Sequence, residues 1–461
     1  MTPRSLSWIA QAASGRLVGE DRMVDAIATD TRALPQDRDA LFVALKGGNF
    51  DGHDHVAAAA SGGCVAALVS RELDAPIPQV IVADTERALG DLAAAVQRER
   101  ATKVLAITGS NGKTSVKTLL LSILDQVGGA YANPGNRNNE IGLPLAVLDA
   151  PDDARFAVYE MGAGKPGDIA YLTAIARPDV ALVNNIAPAH LERMGSLLGI
   201  ADTKAAIYDA LPAEGVAVVN ADDAFAPYFM ERAHGRRIVR VGLEASADIT
   251  ARDIRADADG SRFLLVTPRG EVAIALPMPG RHNVRNALAA AAMALGAGAS
   301  LEQVRDGLDA VQPVAGRLVA HRLRNGAVLV DDSYNANPGS LDAAIDTLAA
   351  SGANAWLVLG DMRELGGDEV ALHAQAGARA KAAGIARLYT LGALSEAATI
   401  AFGEGARDFA SHAELTDTLA RELRAGVRVL VKGSRGSAMD RIVKALLASD
   451  AALDKGEADA A

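Results

Sequence analysis

The chain reads Val104-Leu-Ala-Ile-Thr-Gly-Ser-Asn-Gly-Lys-Thr-Ser115 over one short stretch: an apolar run, then a glycine-rich turn carrying a lysine and two hydroxyls. A strand that turns sharply into a helix over such a loop is a place to hold phosphate. Gly109 and Gly112 allow the backbone to turn with its N–H groups inward, Lys113 brings a mobile positive charge, and Thr114 offers a hydroxyl to magnesium. The helix expected over 114–127 aims the positive end of its dipole at the same point. The usual pattern has a glycine five residues before the second glycine; here that residue is Ile107, so the loop is a variant form. A chance Gly-Lys-Thr at a helix start is the competing account, and the strand before and helix after argue against it. A nucleoside triphosphate is the expected ligand. Whether its phosphate goes to water, a protein or a carboxylate is open at this point.

Composition narrows the field. With 461 residues and 50% hydrophobic content, the chain can fill several cores. A formal charge of -11 without a dense Lys/Arg cluster argues against a nucleic-acid partner. A single Cys64 leaves no internal disulfide framework and no cysteine-built zinc site, which suits a reducing compartment, the cytoplasm by default. No signal-like start is present, and the alanine-rich run 287–299 is too short to cross a bilayer, so no membrane insertion is expected.

Three regions separate by rhythm, with boundaries placed at 1–100, 101–315 and 316–461. In the first, strands are expected at 27–29, 40–44, 66–69 and 80–82, with a helix at 85–100. In the second, strands at 104–108, 156–160, 180–184 and 216–220 alternate with helices, the pattern of a mostly parallel sheet, and 248–276 reads as an antiparallel flap. In the third, strands at 328–331, 356–359, 387–391 and 427–431 end in Gly, Asp or Ser, marking the carboxyl edge of an open parallel sheet. The tail 450–461 lacks apolar periodicity and is expected to fray.

Several strand ends carry candidate chemistry. Glu160 closes Phe156-Ala-Val-Tyr-Glu160 beside the phosphate loop, where a carboxylate can bind magnesium or simply be solvated. His190, in Asn184-Asn-Ile-Ala-Pro-Ala-His190-Leu-Glu192, is either a satisfied core histidine or a ligand at the same edge. Lys204 lies on an amphipathic helix, and from spacing alone a surface lysine is the better account. The loop Asn133-Pro-Gly-Asn-Arg-Asn-Asn-Glu-Ile-Gly142 is rich in amides that suit an anionic or sugar substrate or a plain turn. Arg317 sits at a domain junction, able to reach a γ-phosphate or to serve an ion pair. Asp332 opens Asp332-Ser-Tyr-Asn-Ala-Asn-Pro338 after a buried strand.

Taken together, Thr108-Gly-Ser-Asn-Gly-Lys-Thr114, Asn184-Asn with Ala189-His190-Leu-Glu192, Gly280-Arg-His-Asn283 and Gly316-Arg317 resemble the Mur ligases of bacterial peptidoglycan assembly. Asp332-Ser-Tyr-Asn-Ala-Asn-Pro338, Gly360-Asp-Met-Arg-Glu-Leu-Gly366 and Val431-Lys-Gly-Ser-Arg435 are similar to the branch that adds D-alanyl-D-alanine to UDP-N-acetylmuramoyl-tripeptide. Thr29-Asp-Thr-Arg32, Leu41-Phe-Val-Ala44 and Gly47-Gly-Asn-Phe-Asp-Gly-His53 are similar to the family's uridine-nucleotide domain. The resemblance spans nearly the whole chain.

The resemblance implies an α/β protein of three domains: a small uridine-nucleotide domain, a central ATPase-type domain with a mostly parallel sheet, and a C-terminal Rossmann-like domain. It implies an acyl-phosphate mechanism with ATP and two magnesium ions. Thr108, Gly109, Ser110, Asn111, Gly112, Lys113, Thr114 and Ser115 would hold the phosphates, with Asn283 and Asp332 at adenosine. Thr114, Glu160, His190 and a carbamylated Lys204 would hold the metals, and Lys113 and Arg317 would neutralise the transferring phosphoryl group. Thr31, Arg32, Lys46, Asp51 and His53 would contact the uridine nucleotide and Asn138 the muramoyl part, while Tyr334, Asn335, Asn337, Lys432, Ser434 and Arg435 would line the remaining substrate space. Its partners would be these small molecules alone, the chain acting as a monomer whose domains close to keep water from the acyl phosphate. Two other readings are a sister ligase adding the third amino acid, whose Asp-Asn-Pro-Arg stretch is missing here, and a nucleotide switch, which would leave the first hundred residues without a task.

Overall fold

The computed structural model describes residues 1–188, 191–257, 260–312, 314–352 and 354–458, without the side chains of residue 191 and of 453–458. His190 therefore lies outside the described residues. Three α/β sheets follow one another along the chain. The first has five strands in the order Arg16–Val18, Gln79–Ile81, Ala66–Val69, Ala40–Val43, Ala26–Ala28, parallel except at Arg16–Val18.

The central sheet has six parallel strands in the order Arg237–Val241, Val216–Asn220, Val180–Val183, Lys103–Thr108, Phe156–Glu160, Ala130–Ala132. Lys103–Thr108 is the first strand in sequence, and later strands add on both its sides. The chain therefore reverses its winding there, which opens a crevice at the carboxyl end of that strand. Apolar residues run without break along it because both faces are covered. Val104 and Ala106 enter one core with the helices on that side, and Leu105 and Ile107 enter the other with Val116, Leu120 and the alanine-rich helix Arg281–Ala297.

The first module does not stand apart. Leu89, Leu92 and Val96 of helix Thr85–Glu99 share a core with Leu143, Val147 and Leu172 of the central module. Gly90 permits this approach: a Cβ there would lie 2.1 Å from the Tyr171 hydroxyl. The segment read as a flap is a three-stranded antiparallel meander, Thr250–Ala256, Ser261–Thr267 and Gly270–Leu276, meeting the sheet edge at Val241 and Ile249 and packing on the alanine-rich helix.

The last sheet runs Val319–Arg322, Val328–Asp332, Arg428–Lys432, Ala355–Gly360, Arg387–Leu391, Ala406–Phe409, parallel except for its first strand. Its final helix extends over Asp440–Ala458, through most of the segment expected to fray. Ala, Leu, Lys and Glu are strong helix formers and sustain a helix without an apolar stripe. No helix among the described residues is long and apolar enough to cross a membrane.

Candidate active site

The phosphate loop sits at the winding reversal. Gly109 has φ +150° and Gly112 φ +77°, and Gly112 leads directly into helix Lys113–Asp125. Side-chain amides fix the loop's shape: Asn111 N donates to Asn185 Oδ1 at 2.8 Å, and Asn184 Nδ2 donates to Asn111 O at 2.9 Å and to Asn286 Oδ1 at 3.1 Å. Ser110 Oγ donates to Ala187 O at 3.0 Å, and Thr108 Oγ1 to Met161 O at 3.0 Å. Lys113 curls back, its Nζ donating to Gly109 O at 2.8 Å. Burial, with Arg317 adding like charge, lowers its pKa against the pull of Glu160.

Glu160 ends its strand among donors. Its Oε2 accepts from Thr114 Oγ1 at 2.9 Å and its Oε1 from Asn138 Nδ2 at 2.8 Å. Burial pushes the carboxyl up, but Lys113, Lys117 and these hydrogen bonds outweigh it and hold it below the usual glutamate range. Lys117 was missed by the sequence reading. It is buried, donates to Asn133 O and Gly135 O at 2.9 and 3.0 Å, and lies 3.4 Å from Glu160. A lysine four residues after Lys113, on the same side of the helix and just before the apolar run at 119–121, was the available signal.

Lys204 is no surface lysine. It is 4% exposed on helix Leu197–Asp209, which Ser196 caps and Tyr208 pins by accepting from Val183 N at 3.0 Å and donating to Val218 O at 2.7 Å. Among the described residues its ammonium makes no hydrogen bond, and burial, with Lys113 adding repulsion, drives its pKa well below the ordinary lysine value.

The last module closes over the loop. Arg317 donates to Thr114 Oγ1 at 3.4 Å and stacks on Tyr334 at 4.2 Å; Arg435 stands over the same ring at 5.4 Å. Asn337 caps helix Pro338–Ala350 and donates from Nδ2 to Asn111 Oδ1 at 2.7 Å.

Two cavities of about 410 Å³ each flank the loop. One is lined by Asn283, His282, Asn286, Asp332 and Lys432 as well as Asn111, Gly112 and Ser115. The other is lined by Lys113, Thr114, Glu160, Lys204, Asn138, Tyr334, Asn335 and Asn337. Arg317 stands in the wall of both. Lys432 is engaged with Asp332 at 2.6 Å and Asn335 O at 3.0 Å, on the first side. Ser434 accepts from Arg363 N at 2.9 Å and donates to Ala336 O at 3.2 Å, bracing its loop.

The remaining candidates, Thr31, Arg32, Lys46, Asp51 and His53, lie on loops at the carboxyl edge of the first sheet. Arg32 pairs with Asp30, and both ring nitrogens of His53 are engaged, Nδ1 with Asp51 and Nε2 accepting from Ser70 N at 2.8 Å.

A phosphate loop at a winding reversal, with a strand-end carboxylate beside it and an arginine brought over from another domain, defines a nucleotide-using α/β enzyme. Residues 107–294 match the Mur ligase middle domain and residues 316–435 the Mur ligase, glutamate ligase domain. The chain is 44% identical to the UDP-N-acetylmuramoyl-tripeptide--D-alanyl-D-alanine ligase of Escherichia coli (strain K12), over 96% of this chain and 98% of that one. It is 35% identical to the protein of the same name from Bacillus subtilis (strain 168), over 97% and 99%. Among solved structures, MurF from Acinetobacter baumannii superposes with a TM-score of 0.91 at 34% identity, covering 97% of this chain and 99% of that one. MurF ligase from Thermotoga maritima, in complex with ADP, superposes at 0.84 and 26% identity, covering 92% and 97%. The chain belongs to the Mur ligase family.

Proposed function

We propose that this chain joins D-alanyl-D-alanine to UDP-N-acetylmuramoyl-tripeptide, forming a C–N bond and converting ATP to ADP and phosphate, as the names of its relatives describe for them. The observation that carries this reading is the pair of cavities meeting at one phosphate loop. An adenosine seated against Asn283 and Asp332 puts its phosphates on Gly109–Thr114, and a peptide carboxylate entering past Asn138 approaches the γ-phosphate from the other side. The reaction divides along the chain: 1–100 takes the uridine nucleotide, 101–315 the ATP, and 316–461 the dipeptide. Its use of ATP sets it in the cytoplasm.

In the first step the tripeptide carboxylate attacks the γ-phosphorus and ADP leaves. Lys113 leaves its loop carbonyls for the phosphate oxygens, and Arg317, already over Thr114, shares the charge of the transferring group. The dipeptide amine then attacks the acyl carbon, and the tetrahedral intermediate expels phosphate. Closure of the last domain through Asn337 and Arg317 excludes water from the acyl phosphate.

The Thr114 hydroxyl and Glu160 carboxylate, 2.9 Å apart, are hard oxygen donors that fit magnesium. No cluster of three or more His, Cys, Asp or Glu stands ready to hold a metal among the described residues, so phosphate and water would complete the shell. Magnesium bound there would withdraw charge from the β- and γ-phosphates.

Lys204 is the carbamylation site in this reading. Its buried ammonium is disfavoured, and the neutral amine adds to carbon dioxide, losing one proton and gaining a carboxylate. That carboxylate and His190 would hold a second magnesium beside the acceptor carboxylate.

The test mixes the chain with ATP, magnesium, D-alanyl-D-alanine and the tripeptide nucleotides carrying either lysine or meso-diaminopimelate, and reads products by mass spectrometry. A UDP-muramoyl-pentapeptide from either nucleotide, with ADP release dependent on both peptide substrates, is the expected result. ADP release without them indicates a nucleotide switch and overturns the reading.

A further inference from the structure

Behind the loop that walls the acceptor cavity, a charge is buried where packing alone asks for none. Helix Lys113–Asp125 buries Val116, Leu119, Leu120, Ile123 and Leu124, and with them Lys117, 7% exposed. An apolar side chain would fill that place without the desolvation cost that an ammonium carries. What the ammonium gains is a grip on a neighbouring segment. Its Nζ donates to Asn133 O at 2.9 Å and to Gly135 O at 3.0 Å, and Glu160 Oε2 lies 3.4 Å away. Lys117 itself lines neither cavity.

The gripped segment leaves the three-residue edge strand Ala130–Ala132, runs exposed over 134–137, and then places Asn138, Asn139 and Glu140 in the wall of the cavity that holds Lys113 and Lys204. Its outer tie, Arg137 with Asp149, joins two exposed side chains and contributes little. Its inner ties gather at the end of the Glu160 strand. Asn133 Oδ1 accepts from Glu160 N at 2.9 Å, Asn138 Nδ2 donates to Glu160 Oε1 at 2.8 Å, and Asn138 O accepts from Gly162 N at 2.7 Å. Those bonds fasten Asn133 and Asn138. Lys117 fastens the turn between them, at Gly135, to the helix that begins at the phosphate loop.

We propose that Lys117 is a positioning residue for the acceptor: it ties the turn at Gly135 to the phosphate-loop helix and so sets where Asn138 and its neighbours meet the peptide nucleotide, without touching either substrate. This rests on the tripeptide-nucleotide substrate proposed above. The phosphate loop does not depend on this tie, because Asn184, Asn185 and Asn286 hold its shape.

The experiment compares the full parent chain with Lys117→Met, which keeps the unbranched stem and loses the donors. Hydrogen exchange across 133–142, read by mass spectrometry, runs about 10-fold faster in Lys117→Met, as the loss of one net hydrogen bond allows. KM for the tripeptide nucleotide rises about 10-fold, more than kcat falls, while ADP binding measured by calorimetry without magnesium stays within about twofold. A general loosening of the site would instead weaken ADP as well. Asn138→Ala raises the same KM, and adding Lys117→Met to it raises KM by less than about threefold more, since the two act through one contact. Gly135→Ala strains the tie from the other side: Gly135 has φ +54° on the exposed turn, where a Cβ meets nothing within 4 Å, so the core stays filled while exchange and KM move in the same direction as in Lys117→Met.

Parent-like exchange across 133–142 in Lys117→Met overturns the tie. Faster exchange with an unmoved KM, or effects of Lys117→Met and Asn138→Ala that simply multiply, overturns the positioning role and leaves the ligase reading intact wherever the parent forms pentapeptide. If Lys117→Met does not fold, Gly135→Ala decides, and parent-like exchange and KM there overturn the proposal. A parent chain that forms no pentapeptide overturns the ligase reading and this role together.

Discussion

Replacing Gly112 by alanine tests whether the amides behind the phosphate loop set its shape. Gly112 has φ +77°, and a Cβ there would stand 2.5 Å from Asn184 Nδ2 and 2.6 Å from Asn286 Oδ1, which hydrogen-bond to each other at 3.1 Å. An L side chain in that conformation costs ~1–2 kcal/mol, and wedging a methyl between two bonded amides adds ~1–3 kcal/mol. Free of nucleotide, the loop relieves this by leaving its native geometry; binding must restore it. At the least, about 2 kcal/mol is lost, so ADP binds about 30-fold more weakly, measured by calorimetry on the full chain. Gly63→Ala is the control: Gly63 also has positive φ (+104°) but its Cβ would meet nothing within 4 Å, so it lowers the melting temperature and leaves ADP binding alone. Gly112→Ala binding ADP within about threefold of the parent would show that the amides do not enforce the loop.

Glu160→Gln keeps the shape of the side chain but removes the charge facing Lys117; the magnesium concentration for half-maximal turnover should rise and kcat fall by about 100-fold, read from initial rates across a magnesium titration. Asn337→Asp keeps the helix cap on Ser340 and loses the donation to Asn111, so it should cut kcat about 10-fold without a lower melting temperature, whereas Asn337→Ala loses both. Burial in the cavity wall, with Lys432 and Arg285 adding like charge, pushes His282 down to about 4 from 6.5, so an unfolded chain takes up this proton first as pH falls. Stability should drop between pH 6.5 and 4 by this linkage, and His282→Asn should flatten that limb of the melting-temperature profile. Lys204 reacts only as the neutral amine, so purging carbon dioxide should lower turnover and bicarbonate restore it, with slower recovery in more acidic buffer; indifference to carbon dioxide would refute carbamylation.

What was legible in the sequence follows its physics. Strands 156–160 and 216–220 stood out because a sheet covered on both faces needs unbroken apolar runs, and their ends match the structure residue for residue. Edge strands did not stand out: Ala130–Ala132 is three residues long, and Arg237–Val241 carries two arginines because an edge has one side to cover. The chemistry on the central strand ends was readable as a set of polar residues after apolar runs, and the structure gathers Lys113, Thr114, Glu160, Lys204, Asn138 and Arg317 around one cavity. Burial of Lys204 was not readable from spacing, because a helix packed under a loop shows the same periodicity as one facing water. The amide ladder Asn184, Asn286, Asn111 and Asn337 joins residues far apart in sequence, and no local pattern signals such a contact.

That ladder and the charges beside it explain why nucleotide and domain closure should be coupled. Lys113, Lys204 and Arg317 line a single cavity with Glu160 and Asp168; Arg317 depresses Lys113 and Lys113 depresses Lys204, while Glu160 and Asp168 pull the other way. Lys113 donates to its own loop carbonyls, an arrangement that a triphosphate, in the reading proposed above, would replace with stronger charge-assisted bonds. Arg317 comes from the last domain, and the repulsion it meets near Lys113 is offset in part by Glu160; a phosphate bound between them would remove the remainder. Asn337 and Asn111, both neutral, can join the domains in either case and contribute about 1 kcal/mol. The neutral latch already joins the domains in this structure, and a bound phosphate, by removing the charge penalty, would tighten that closure, as the acyl-phosphate step proposed above would require.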